Sequence, residues 1–204
     1  MSFALFAVLT ALVSTGRADQ VDRSAMLALA AHRTAALTWC MRVITTVGSG
    51  AIEIPAALTV YAGLRARGRL AAAHTYLAAC LTGWALYAVV KVAVHRTRPR
   101  IVSRLAAGAG WYSYPSGHTM LAPLVFGLAV IAWTAAARTS SDRLLLTAVV
   151  AALACGIGLS RVYLGLHFPT DVLAGLALGT GWATLWAPRV DALVLAPRPV
   201  HAGA

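Results

Sequence analysis

Apolar and polar residues follow one another along this chain in blocks. Apolar runs occupy residues 2–15, 51–64, 71–94, 119–137, 144–166 and 171–186, separated by short polar stretches. A helix crossing a bilayer needs about 20 mostly apolar residues, and each run is read as one span. The first is short, with no positive leading region and no small-residue cleavage site, so it reads as a short or tilted span and not as a signal peptide. Residues 17–23 form a polar break. Residues 24–46 are mixed: Arg33, Thr34, Thr38, Arg42 and Thr45 recur at roughly helical spacing beside Leu29, Leu37, Trp39 and Met41. That stripe predicts an amphipathic helix lying in the membrane interface, ended by "VGSG" at 47–50. "RARGR" at 65–69 and the polar residues 138–143 are tight loops, and the tail from Pro188 is expected to be irregular. The pattern predicts an all-α, polytopic membrane helix bundle of about six transmembrane helices plus an interfacial amphipathic helix, as a single integral-membrane domain over residues 1–204.

Composition sharpens this picture. The chain is 60% hydrophobic and 11% charged, against a charged share of about 25% in ordinary soluble domains. Its net charge of +11 comes from sixteen Arg and one Lys against six acids. On a soluble domain such a charge would suggest nucleic acid. Here the Arg residues flank apolar runs, where they anchor helix ends or attract anionic headgroups, and no nucleic-acid-reading motif occurs. Cys40, Cys80 and Cys155 lie far apart in apolar stretches without a C-x-x-C. They are expected to be small buried residues, not disulfide partners or metal ligands.

Alternation of the spans puts the end of the third, the start of the fourth, the end of the fifth and the start of the sixth on one membrane face. The unusual residues fall at those four places. In "KVAVHRTRP" (91–99), Lys91 and Arg98 are either snorkelling anchors or a phosphate clamp in which a point charge and a planar fork converge on one dianion. In "PSGH" (115–118), Ser116 and Gly117 form a turn whose N–H groups lead into a helix and can face an anion. His118 either caps that span or reaches the group to which the anion is attached. In "SRVYLGLHFPTD" (160–171), Pro169 prevents a continuous helix and leaves His167 on a bend beside Arg161. Asp171 is either an N-cap or the acceptor that fixes one imidazole nitrogen of His167 and frees the other as a nucleophile; both roles can coexist.

Lys-x6-Arg-Pro, then Pro-Ser-Gly-His, then Ser-Arg-x5-His-x3-Asp, over residues 91–171, resembles in order and spacing the three-part signature of the type-2 phosphatidic acid phosphatase family, relatives of bacterial acid phosphatases and vanadium haloperoxidases. The resemblance implies a membrane lipid phosphatase. His167 would be the nucleophile that forms a phosphohistidine, Asp171 its orienting partner and His118 the general acid. Lys91, Arg98, Arg161, Ser116 and Gly117 would cradle the phosphoryl oxygens. It implies no metal or other cofactor, and as substrate a phosphatidic acid-like or phosphatidylglycerol phosphate-like lipid or a polyprenyl diphosphate. The alternatives are a phosphotransferase with a lipid alcohol acceptor, and a non-catalytic lipid-binding or transport protein of the same fold.

Other positions carry weaker expectations. Glu53 reads as groove lining or as a structural hydrogen-bonding group. Trp111, Tyr112 and Tyr114 read as an aromatic belt, and Gly175 and Gly179 as a close helix contact. Arg96, Arg100 and Arg104 read as surface anchors or a means of enriching anionic substrate. Once Lys91, Arg98 and Arg161 are set aside, basic residues divide evenly between the two faces, so the positive-inside rule does not orient the chain. The density of "RARGR" and the family resemblance favour a cell-membrane protein with its site on the extracytoplasmic face.

Overall fold

The computed structural model describes residues 1–107, 110–134 and 140–197. Among them every regular element is helical, with no strand. α1 (Ser2–Ser14) turns at Gly16, whose positive φ of 71° suits glycine, into α2 (Asp19–Ala31). α3 (Ala35–Val47) starts at Thr34, whose hydroxyl accepts the Leu37 N–H at 3.2 Å. α4 (Gly50–Ala66) follows after two residues, and Gly68, with φ 70°, turns the chain into α5 (Leu70–Val94). A long connection leads to α6 (Gly117–Ala122), a π-helical turn (Pro123–Gly127) and α7 (Leu128–Thr134), which form one rod. Pro123 has no N–H to give the preceding turn, and the helix widens there; the Tyr76 hydroxyl donates to the Val125 carbonyl inside the widened segment at 3.1 Å. α8 (Ser140–Tyr163) and α9 (Pro169–Leu195) complete the bundle.

Four stretches are long and apolar enough to cross a membrane: Ala35–Ala66, Leu70–Val94, Gly117–Thr134 and Ser141–Tyr163. α9 is the axis of the bundle and packs against α1, α5, α6 and α8. At 27 residues it is about 40 Å long. Gly175 and Gly179 let the α6 backbone lie against it; a Cβ at 179 would fall on Met120. The protein is thus a polytopic membrane helix bundle.

Several boundaries differ from the expected ones, for physical reasons. Residues 24–46 are not one interfacial helix. They are split by Thr34 into α2 and α3, and α3 runs on with α4 as a single apolar stretch. The polar stripe assigned to the interface faces protein instead. Arg33 donates to the Tyr163 carbonyl (3.0 Å from Nε) and to the Ser103 carbonyl (3.1 Å), and Arg42 to the Leu105 carbonyl (2.7 Å). Thr38 meets the Tyr163 hydroxyl at 3.1 Å. These side chains satisfy carbonyls at the end of α8 and in the connection after α5, groups that have no helical partner of their own. Part of the supposed polar break, from Asp19, is the first turn of α2, where acids suit the positive end of the helix dipole. The expected loop at 138–143 is helical from Ser140 onward. α9 continues through Pro188 to Leu195, held by buried Val190 and Val194. Arg138 and Arg198 lie outside the described residues. Of the cysteines only Cys80 is buried; Cys40 and Cys155 are exposed on the helix surface. Tyr114 is not in an aromatic belt: it is fully buried, stacks on Phe6 and bonds to the Thr10 hydroxyl at 2.7 Å. Trp111 is 92% exposed.

Candidate functional site

The three signature stretches, distant in sequence, meet around the first turn of α9. Pro169 occupies the first helical position, where its missing N–H costs nothing. Asp171 Oδ2 reaches back to accept the Phe168 N–H at 2.9 Å. This closes the helix start and fixes the carboxylate. His167 lies just outside the helix, 2% exposed, with Nδ1 3.4 Å from Asp171 Oδ2. Its other nitrogen, Nε2, lies 3.1 Å from Arg98 Nη1. A guanidinium only donates, so Nε2 is the acceptor and the ring proton sits on Nδ1, facing the carboxylate.

Arg98 is anchored by the Gly110 carbonyl (2.6 Å from Nε) and the Leu166 carbonyl (2.7 Å from Nη1). Lys91 donates to the carbonyls of Tyr112 (2.8 Å) and Pro115 (3.3 Å), and its ammonium lies 4.9 Å from the centre of the Tyr87 ring. Lys91 thus ties the end of α5 to the turn before α6. That turn is docked on α9, because the Ser116 N–H donates to the Asp171 carbonyl at 2.9 Å. Gly117 packs against the Tyr87 ring, which leaves no room for a Cβ there. His118 is half-buried beside Gly48, within electrostatic reach of Arg161, His167 and Arg98. Arg161 is 4% exposed, and its Nη1 donates to the Thr45 hydroxyl at 2.9 Å.

Some buried polar atoms here have no protein partner. They include Arg161 Nε and Ser116 Oγ. Buried polar groups are nearly always hydrogen-bonded, so unspent donors beside Arg98 and Lys91 describe a pocket for an anion. Burial lowers the His167 pKa to about 4; Asp171 pulls the other way, and Arg98 and Arg161 add to the lowering. The imidazole is therefore neutral at ordinary pH, with a lone pair on Nε2. Glu53 is also buried, with Oε1 unpartnered. No group of three or more His, Cys, Asp or Glu among the described residues is arranged to hold a metal ion.

Two features escaped the sequence. Arg96 is neither an anchor nor a substrate-gathering charge. Its guanidinium stacks 4.0 Å from the centre of the Phe168 ring and donates to Asp171 Oδ1 (2.9 Å), Asp22 Oδ2 (2.8 Å), Asp19 Oδ1 (3.1 Å) and Thr170 Oγ1 (2.8 Å). Burial works against its charge, but Asp171 and Asp22 outweigh it and hold the Arg96 pKa above its ordinary value. Asp171 is therefore not the sole acid at the site. Nothing local in the sequence links Asp22 to Arg96. Tyr87 escaped as well, although its place one helical turn before Lys91 on the same face of α5 is a signal that could have found it.

The helix ends of this all-helical membrane bundle gather Lys91, Arg98, Arg161 and two histidines, and the comparisons say which family shares that arrangement. Residues 71–194 match the model of the PAP2 superfamily. The chain is 29% identical over 180 residues to phosphatidylglycerophosphatase B of Bacillus subtilis, covering 87% of each chain. Its fold is similar to the crystal structure of a transmembrane PAP2 type phosphatidylglycerolphosphate phosphatase from the same organism, with TM-score 0.83 and 28% identity over 92% of this chain and 93% of that one. It also shares its fold with LpxE of Aquifex aeolicus (TM-score 0.61, 22% identity, 80% of this chain and 92% of that one). The chain belongs to the PAP2 superfamily and is an integral membrane phosphatase of that family.

Proposed function

We propose that the protein hydrolyses a lipid phosphate monoester or diphosphate in the membrane through a phosphohistidine on His167, with phosphatidylglycerophosphate as the leading substrate and phosphatidic acid-like lipids and polyprenyl diphosphates as the other members of the class. The substrate preference rests on the Bacillus subtilis relatives. The observation that carries the chemistry is His167 itself: Nδ1 toward Asp171, Nε2 toward Arg98, and unspent donors of Arg161 and Ser116 nearby. A phosphoryl group entering beside Arg98 exchanges the Arg98–Nε2 hydrogen bond for one to its own oxygen. The Nε2 lone pair then attacks phosphorus, the bond to the lipid oxygen breaks, and His118 gives that oxygen its proton. His118, now neutral, takes a proton from water as the hydroxide attacks phosphorus and the P–N bond breaks. Charge spreads over the phosphoryl oxygens in both steps, so fixed cations and N–H donors supply most of the stabilisation. The site sits at the helix ends because the substrate's tails remain in the bilayer, and we place it on the extracytoplasmic face of the cell membrane.

The test is phosphate release by the purified full chain in detergent micelles, offered phosphatidylglycerophosphate, phosphatidic acid, lysophosphatidic acid and a polyprenyl diphosphate. Release from at least one lipid, abolished in His167→Ala, is the expected result. Release at the wild-type rate by His167→Ala refutes the assignment.

A further inference from the structure

Among the described residues Asp171 is the only carboxylate that touches His167, and its two oxygens have separate duties. Oδ2 faces His167 Nδ1 and accepts the Phe168 N–H, while Oδ1 accepts from Arg96. Were Oδ1 left unpaired in this fully buried position, the carboxylate would gain by rotating or taking up a proton, and either change removes the acceptor from His167. Arg96 in turn is oriented by Asp22. Asp22 is itself fully buried and accepts the Thr170 backbone N–H (2.9 Å) and hydroxyl (2.5 Å) besides the Arg96 fork. Asp22 thus caps α9 from another helix and holds one side of a planar guanidinium whose other side holds Asp171. Asp22 lies on α2, outside the residues 71–194 matched by the family model.

We infer that Arg96 and Asp22 are positioning residues. Through them α2 sets the orientation of Asp171, and hence the tautomer and attack angle of His167. The inference rests on the hydrolytic reading above. A lysine at 96 supplies one point charge and cannot bridge two carboxylates in the fixed geometry of a fork. Arg96→Lys therefore lowers kcat by about 10–100-fold, the usual scale for groups that orient a reacting residue, with KM within about twofold because no substrate contact is lost. Asp22→Asn, which keeps the shape but loses the charge, gives a smaller loss in the same direction.

A merely structural role would lower activity in any background, so the deciding measurement is a double-mutant cycle on phosphate release by the full chain in micelles. If Arg96 acts through Asp171, Arg96→Lys costs less than about twofold further once Asp171 is already Ala. Equal fold-losses in the wild-type and Asp171→Ala backgrounds, or an unchanged kcat in Arg96→Lys, overturn the inference and leave the hydrolytic reading intact. Wild-type activity in Asp171→Ala removes the hydrolytic reading and this inference with it. Should Arg96→Lys not fold, the same cycle with Asp22→Asn decides by the same criteria.

Discussion

Gly175→Ala tests whether the spacing of α6 and α9 sets the site. A methyl at 175 would sit 2.5 Å from the Ser116 carbonyl oxygen and also against the Thr119 hydroxyl, where ordinary contact begins at 3.4 Å. Neither obstacle is the free end of a flexible side chain. The turn that carries Ser116, Gly117 and His118 must therefore retreat from α9 by about 1 Å, which loosens the Ser116 N–H to Asp171 carbonyl bond. Overpacking of this kind costs about 1–3 kcal/mol, and a misplacement of about 1 Å costs up to ~10²-fold in rate. Gly127→Ala is the control, because a Cβ there meets nothing within 4 Å. Thermal melting and phosphate release are measured on both variants in the same micelles. Gly175→Ala should melt lower and lose one to two orders of magnitude in kcat, while Gly127→Ala stays near wild type. Wild-type kcat in Gly175→Ala would show that the distance between the turn and α9 does not govern the reaction.

His167 should titrate near 4 in the folded protein against 6.5 for an unperturbed imidazole, read by NMR of ring-labelled histidine with His167→Gln as the assignment control; a midpoint near 6.5 contradicts the burial argument. The sign for stability follows: between those values the unfolded chain binds the proton first, so stability present above pH 6.5 falls as pH drops toward 4, and His167→Gln should flatten that slope in melting temperature. Tyr114→Phe removes a buried hydroxyl bonded to Thr10 and should cost about 1 kcal/mol, seen as a lower melting temperature with KM unchanged.

What the sequence revealed and what it concealed have a common cause. Spans are read from composition over a window, so the runs at 71–94 and 119–137 mark α5 and the α6–α7 rod within a few residues, apart from 135–137, which lie outside the described residues. Signature residues cluster where spans end, and Lys91, Arg98, Ser116, His118, Arg161, His167 and Asp171 converge around the start of α9. The direction in which a polar stripe faces is not local information. Arg33, Thr38 and Arg42 look like a wetted face until the end of α8 and the connection after α5 supply carbonyls and a phenol at the matching positions. The same holds for Arg96, whose four partners come from α2 and α9. Lys91 was legible as a cation near the pocket, but not as the strut that carries the Tyr112 and Pro115 carbonyls.

The decisive measurement is acid-free trapping of the enzyme during turnover of a lipid carrying a radiolabelled phosphate, followed by peptide mass spectrometry. Label on His167, absent from His167→Ala, is the expected result. Rapid phosphate release with no label at any histidine, or with label at a different residue, would contradict a covalent route through His167.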